Sequence, residues 1–166
     1  MAYRILVINP GSTSTKVAVY EDRQEQWSQS ISHSREELAA FDGVYGQLDF
    51  RTELVRACCR DHGEQAEAFD AVVGRGGLLP PVRTGAYEVD PYMLECLRDR
   101  PQLHHASNLG APIAYAMAQE AGVKAYIYDA VAVDEMEEIY RITGIRDIRR
   151  VGRGHNLNMR AAVLSL

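Results

Sequence analysis

The first apolar run, Ile5-Leu6-Val7-Ile8, is short and uniformly branched, and the turn formers Asn9-Pro10-Gly11-Ser12 follow it directly. Such a run predicts a buried strand entering a tight loop. Thr15 to Tyr20 alternates polar with apolar residues and is rich in β-branched side chains, which predicts a return strand and closes a hairpin. A third antiparallel strand is expected between Gln26 and Ser32, around Trp27 and Ile31. Ser34-Arg35-Glu36-Glu37 has the spacing of a capping box and announces a helix.

Asp49 to Asp61 carries Leu54, Val55, Cys58 and Cys59 as a helical stripe, with Gly63 placed to terminate it. A buried strand is expected from Phe69 to Val73, then irregular chain through Gly74-Arg75-Gly76-Gly77 and an extended connection through Leu78-Leu79-Pro80-Pro81. Asp90-Pro91 marks a helix start, cap followed by proline at the first turn. Ser107 and Asn108 are expected to cap a longer helix running through Ala111 to Ala121, stopped by Gly122. Lys124 to Val133 predicts a further strand. Asp134 to Ile139 predicts a last helix, its acids at the positive end. An antiparallel opening followed by β-α-β units gives an α/β fold: a mixed sheet with an antiparallel opening hairpin, flanked by helices. No repeat or linker divides the chain, so one domain is expected over 1–166.

Composition narrows the partners. The 166 residues are 46% hydrophobic and 25% charged, enough chain to bury roughly 70% of the surface exposed when unfolded. No disulfide or metal is needed for the core. Eighteen basic against twenty-three acidic residues give a net charge of −5, with the basic residues scattered, which disfavours nucleic acid and anionic membranes as partners. Cys58, Cys59 and Cys96 fit neither a disulfide framework nor a metal knuckle, so a reducing, cytoplasmic location is expected. No apolar run approaches the roughly 20 residues of a membrane span.

The chemistry concentrates at few places. Between the first two strands, Gly11, Ser12, Thr13, Ser14, Thr15 and Lys16 combine a glycine, four consecutive hydroxyls and an ammonium. Inward-turned N–H groups with such donors would make an anion site; a Ser/Thr-rich hairpin turn is the alternative. The Walker spacing is absent, and a strand rather than a helix follows. Arg75, between glycines after a buried strand, has room for bidentate contact with carboxylate or phosphate, or is an exposed loop residue. His104-His105 precede a helix start, and neither has a Cys or His at zinc-ligand spacing. Asp129 ends an apolar strand, the edge where open α/β sheets place ligands.

These residues carry a resemblance. Ile5 to Lys16 is similar to the amino-terminal signature of the acetate and butyrate kinase family, within the actin, heat-shock ATPase and sugar kinase superfamily. Val73-Gly74-Arg75-Gly76-Gly77-Leu78-Leu79, His105-Ala106-Ser107-Asn108-Leu109-Gly110, and Asp129 with Val133-Asp134-Glu135-Met136 resemble further family blocks in the same order and spacing. The resemblance implies a ribonuclease-H-like, actin-like ATPase domain. It implies reversible phosphoryl transfer from ATP, with Mg²⁺, to a short-chain carboxylate such as butyrate, giving an acyl phosphate and ADP. It assigns Gly11, Ser12, Ser14 and Lys16 to the nucleotide phosphates or transferred phosphoryl group and Asn9 to the vicinity of the metal. Arg75, His105, Asp129 and His155 fall to the reacting groups.

The chain departs from the family in two respects. Family members have roughly twice this length, in two related domains, so 1–166 is expected to be the amino-terminal domain without its carboxyl-terminal partner, which could be a separate chain. Such a half is expected to be inactive alone; the alternative is a non-catalytic phosphate-binding or interaction module. The block Gly154-His155-Asn156-Leu157-Asn158 keeps a family histidine, leucine and asparagine but lacks the aromatic residue before and the small residue after His155.

Overall fold

The computed structural model describes residues 2–166. Six strands form one sheet in the order β3-β2-β1-β4-β6-β5, where β1 is Arg4–Pro10, β2 Ser14–Glu21, β3 Gln24–Ser32, β4 Ala71–Arg75, β5 Ala86–Glu88 and β6 Lys124–Tyr128. β1, β2 and β3 are antiparallel neighbours, while β4 lies parallel to β1 and β6 parallel to β4. The helices are α1 (Arg35–Ala39), α2 (Leu48–Asp61), α3 (Pro91–Asp99), α4 (Gly110–Ala121) and α5 (Asn156–Leu164).

The two faces of the sheet differ. Leu6, Ile8, Val17, Val19 and Val72 are fully buried in one core with Val55, Cys58 and Cys59 of α2 and Ala111, Ile113, Ala114 and Ala118 of α4. On the other face, Val7, Asn9, Ala18, Val73 and Arg75 are only half-buried and Lys16 is exposed. Strand alternation thus puts the apolar set under the helices and the polar set in the open. The capping box at Ser34 and the cap by Asp90 with Pro91 behind it both form.

Several elements depart from expectation. β4 runs through Gly74 and Arg75, because strand pairing to β6 continues to Arg75–Tyr128 and irregular chain starts only at Gly76. β6 stops at Tyr128, five residues short of Val133, where Asp129 takes a positive φ of 39° and turns the chain. Asp134 to Glu137 is not helical, since the Asp134 carboxylate accepts from the Met136 and Gly152 N–H groups and from Arg141, and a single 3₁₀ turn forms at Glu138–Arg141. His105, not Ser107 or Asn108, caps the turn before α4. The short β5 and the terminal α5 had no counterpart in the expected elements.

Candidate active site

The hairpin, the ends of the parallel strands and the segment before α5 meet at one edge of the open sheet face. Register sets the arrangement. Asn9 pairs with Lys16 across the hairpin, Ile8 pairs with Gly74, and Arg75 pairs with Tyr128. Lys16, Asn9, Arg75 and Tyr128 therefore form a row across four strands, although they stand far apart in sequence. Arg75 Nη1 donates to Asn9 Oδ1 at 3.3 Å, and Nη2 lies 3.1 Å from His155 Nδ1. A cavity of about 140 Å³ opens there, lined among others by Asn9, Arg75, Asp129, His155 and Asn158. Lys16 lines a neighbouring hollow on the same face, with Asn9, Glu25 and Ser30.

Four glycines permit the close approaches that frame this edge. A Cβ on Gly74 would overlap the Gly110 carbonyl, and one on Gly110 would overlap that of Arg75. Gly76 and Gly77 meet Ala130 and Asn108 in the same way. The start of α4 is thereby seated directly on the end of β4.

The hairpin loop shows a consistent orientation of its peptide groups. The Gly11, Ser12 and Ser14 carbonyls accept from the Arg51 guanidinium, at 2.9, 3.2 and 3.2 Å, and the Thr13 carbonyl accepts from the His33 N–H at 2.9 Å. With all four carbonyls engaged from within, Ser12 and Thr13 are exposed, and their N–H groups find no acceptor among the described residues. Successive donors facing solvent beside a lysine are suited to an anion.

His105 does not line the cavity. Its Nδ1 accepts from the Ser107 N–H at 3.1 Å and faces the Ser107 hydroxyl at 2.9 Å, so the ring caps the turn beneath α4. Asp129 is 4% exposed, and its carboxylate accepts from the Thr84 hydroxyl at 2.6 Å, the Gly85 N–H at 2.8 Å and Arg160 at 3.0 Å. Burial pushes this carboxyl up, but those hydrogen bonds and the Arg160 charge outweigh it and hold it below the ordinary aspartate value. The structure thus brings Asn9, Lys16, Arg75 and His155 together, places Asp129 at the rim in an ion pair, and leaves His105 to one side. Gly11, Ser12 and Ser14 lie in the adjoining loop. Among the described residues, no group of three or more His, Cys, Asp or Glu side chains could hold a metal ion, and no helix is long and apolar enough to cross a membrane.

Sequence reading missed Arg51, which is fully buried under the loop. Its signal was its place at i+3 from Leu48 and i−4 from Val55, within the buried stripe of α2.

The fold is shared with solved structures. It matches half of an acetate kinase from Porphyromonas gingivalis (TM-score 0.60, 17% identity, 99% of this chain and 49% of that one). It also matches an acetate kinase from Entamoeba histolytica (TM-score 0.63, 14% identity, 98% and 46%) and a propionate kinase from Francisella tularensis (TM-score 0.60, 15% identity, 98% and 49%). The architecture is that of half of these acetate and propionate kinases. No protein-family model matches the chain. The sequence is 46% identical to butyrate kinase 2 of Clostridium acetobutylicum over 161 residues, which is 97% of this chain and 45% of that protein. It is 45% identical to a probable butyrate kinase of Coprothermobacter proteolyticus over 161 residues, again 97% and 45%. The chain is a homologue of the butyrate kinases and spans about half the length of the curated relatives it matches.

Proposed function

We propose that residues 1–166 form the amino-terminal domain of a carboxylate kinase that moves a phosphoryl group between ATP and a short-chain carboxylate such as butyrate. The observation that carries this reading is the Asn9–Arg75–His155 cluster beside the Gly11–Lys16 loop, in a chain homologous to butyrate kinases. Phosphoryl transfer asks a protein mainly for positioning and for charge opposite the transferred oxygens. In this reading the Ser12 and Thr13 N–H groups, the Ser12 and Ser14 hydroxyls and Lys16 hold phosphate, with the Gly11 N–H closing the loop on the Ser14 carbonyl at 2.7 Å. Arg75 bridges the carboxylate and the phosphoryl group with its planar fork, and Asn9 and His155 fix its orientation. Asp129 sets the rim of the site through Arg160. His105, outside the cavity, acts in this reading only by capping the turn that seats the start of α4.

Magnesium would come with the nucleotide, held mainly by phosphate oxygens and water, and would supply charge opposite the transferred oxygens; Asn9 is the residue of this cluster that would lie near it. The second domain, in this reading a separate or continuing segment, closes the cleft and excludes water. Three free, buried cysteines support a reducing, cytoplasmic setting.

The test is acyl phosphate formation from butyrate and Mg·ATP, trapped as hydroxamate, with this chain alone and with the carboxyl-terminal half of C. acetobutylicum butyrate kinase 2 added. Turnover only in the mixture is the expected result. Mg·ATP bound by the chain with no acyl phosphate under either condition would favour the non-catalytic phosphate-binding module instead.

A further inference from the structure

Among the described residues, Arg51 is the largest fully buried side chain and no carboxylate contacts it. Its guanidinium spends its donors on neutral acceptors: Gln47 Oε1 at 3.0 Å, Thr15 Oγ1 at 3.1 Å, and the three loop carbonyls of Gly11, Ser12 and Ser14. A charge removed from water without a counterion is costly unless something offsets it. Here the hydrogen bonds satisfy the donors, but the positive charge itself has no partner in the protein. Burial draws the pKa of Arg51 down, with no acidic neighbour to raise it; arginine nevertheless stays protonated.

The side chain has two consequences for the loop above it. It pins three of the four loop carbonyls inward, which is what leaves the Ser12 and Thr13 N–H groups outward. It also places a full positive charge directly beneath those donors, in a low-dielectric setting where its field is weakly screened. His33, which shares the Thr15 hydroxyl at 2.9 Å, is buried with Nδ1 unpartnered, and burial together with the Arg51 charge holds its pKa below the ordinary histidine value. A neutral His33 adds no competing charge and none that would cancel Arg51.

We propose that Arg51 is a positioning residue for anion binding at the 11–14 loop: its fork orients the loop's N–H donors, and its unpaired buried charge is the one the bound phosphate neutralises. This rests on the reading of that loop as the phosphate site. Lys16 acts from the solvent side of the anion and Arg51 from beneath it, so a phosphate at the loop lies between two cations on opposite sides of the chain.

The experiment uses the whole chain, inorganic pyrophosphate as probe, and nitrogen-15 NMR. In the wild-type protein, pyrophosphate should shift the Ser12, Thr13 and Ser14 amides and, at the same saturation point, the Arg51 Nε–H signal. An Arg51 signal that stays still while the loop amides saturate would overturn the proposal, and this measurement requires no variant to fold. Arg51→Met should weaken pyrophosphate about tenfold or more, the scale of losing one weakly screened charge close to the anion. Arg51→Lys, which returns the charge without the fork, should recover part of that affinity while the Gly11 to Ser14 amides exchange faster than in wild type. Wild-type affinity in a cooperatively folded Arg51→Met protein would overturn the proposal. If the wild-type loop amides ignore pyrophosphate, the phosphate reading falls and the charge role of Arg51 with it. Faster loop exchange in Arg51→Lys would then show that its structural hold on the loop survives that failure.

Discussion

Arg75 illustrates a residue whose value lies outside stability. Its contacts to Asn9 and His155 are half exposed, one of them to a surface histidine, and such bonds contribute about 1 kcal/mol or less. Arg75→Gln should therefore leave the thermal midpoint nearly unchanged while weakening acyl phosphate binding by about tenfold or more; calorimetric titration with butyryl phosphate beside a thermal melt checks both. Loss of fold with loss of binding would make the residue structural instead. His33 predicts the reverse behaviour. Its ring is buried against Phe50 and beside Arg51, with Glu37 the acid that partly opposes them. Because the native pKa lies below the unfolded value of about 6.5, the folded state binds fewer protons, so stability is full above that pH and declines as pH drops below it. Between about pH 7 and pH 5 the midpoint of the wild type should fall further than that of His33→Gln. Arg75, His33 and Arg51 also mark the limit of sequence reading at this scale. The place of Arg75 after a buried strand was legible from its glycine neighbours, whereas the spacing of Arg51 within the α2 stripe marks it as buried but not the loop it supports.

At the scale of elements, the antiparallel opening, α2, the Asp90-Pro91 helix and α4 with its Gly122 stop were legible because each carries its own local signal, a period, a cap or a terminator. What failed depends on distant partners. β4 extends into a glycine-rich stretch because β6 pairs with it, and the acids expected to open a helix at 134 are claimed by Arg141 and by backbone N–H groups from Gly152 and Met136. β5 is three residues long, held by β6 alone. The contact of β4 with α4 gives a sharp prediction. A methyl group at Gly74 has no flexible side chain to displace, only the Gly110 backbone, so Gly74→Ala should cost at least about 2 kcal/mol. Gly144 has open space around its Cβ position and an ordinary φ, and Gly144→Ala should stay within about 0.5 kcal/mol. Urea unfolding of both variants measures the contrast, and equal costs would refute the steric account of the glycine pairs.

Over the whole molecule, the sheet divides the protein into a closed side that holds the core and an open side that carries the candidate site. The row Lys16–Asn9–Arg75–Tyr128 was not readable from the sequence as a row, since only strand order and register bring positions 9, 16, 75 and 128 side by side. The open side is also where the chain is least anchored. α5 buries no residue completely, and its polar ties to the rest of the protein are Arg160, which reaches Asp129 and the Thr84 hydroxyl at 3.0 and 2.8 Å, and the longer Asn156 donation to the Val133 carbonyl at 3.5 Å. Local opening of such an element does not require the core to open. Arg160→Gln should accordingly raise hydrogen exchange through 156–164, read by mass spectrometry, while β1 and β4 stay protected. Acid should do the same in the wild type. With the native Asp129 carboxyl below its ordinary value, the tie is intact above about pH 4 and weakens as pH falls through the lower native pKa. Since His155 begins α5 and faces Arg75, loosening the helix should also broaden the His155 ring signals. A protected α5 in Arg160→Gln would mean that apolar packing, not the Asp129 pair, holds His155 over the site.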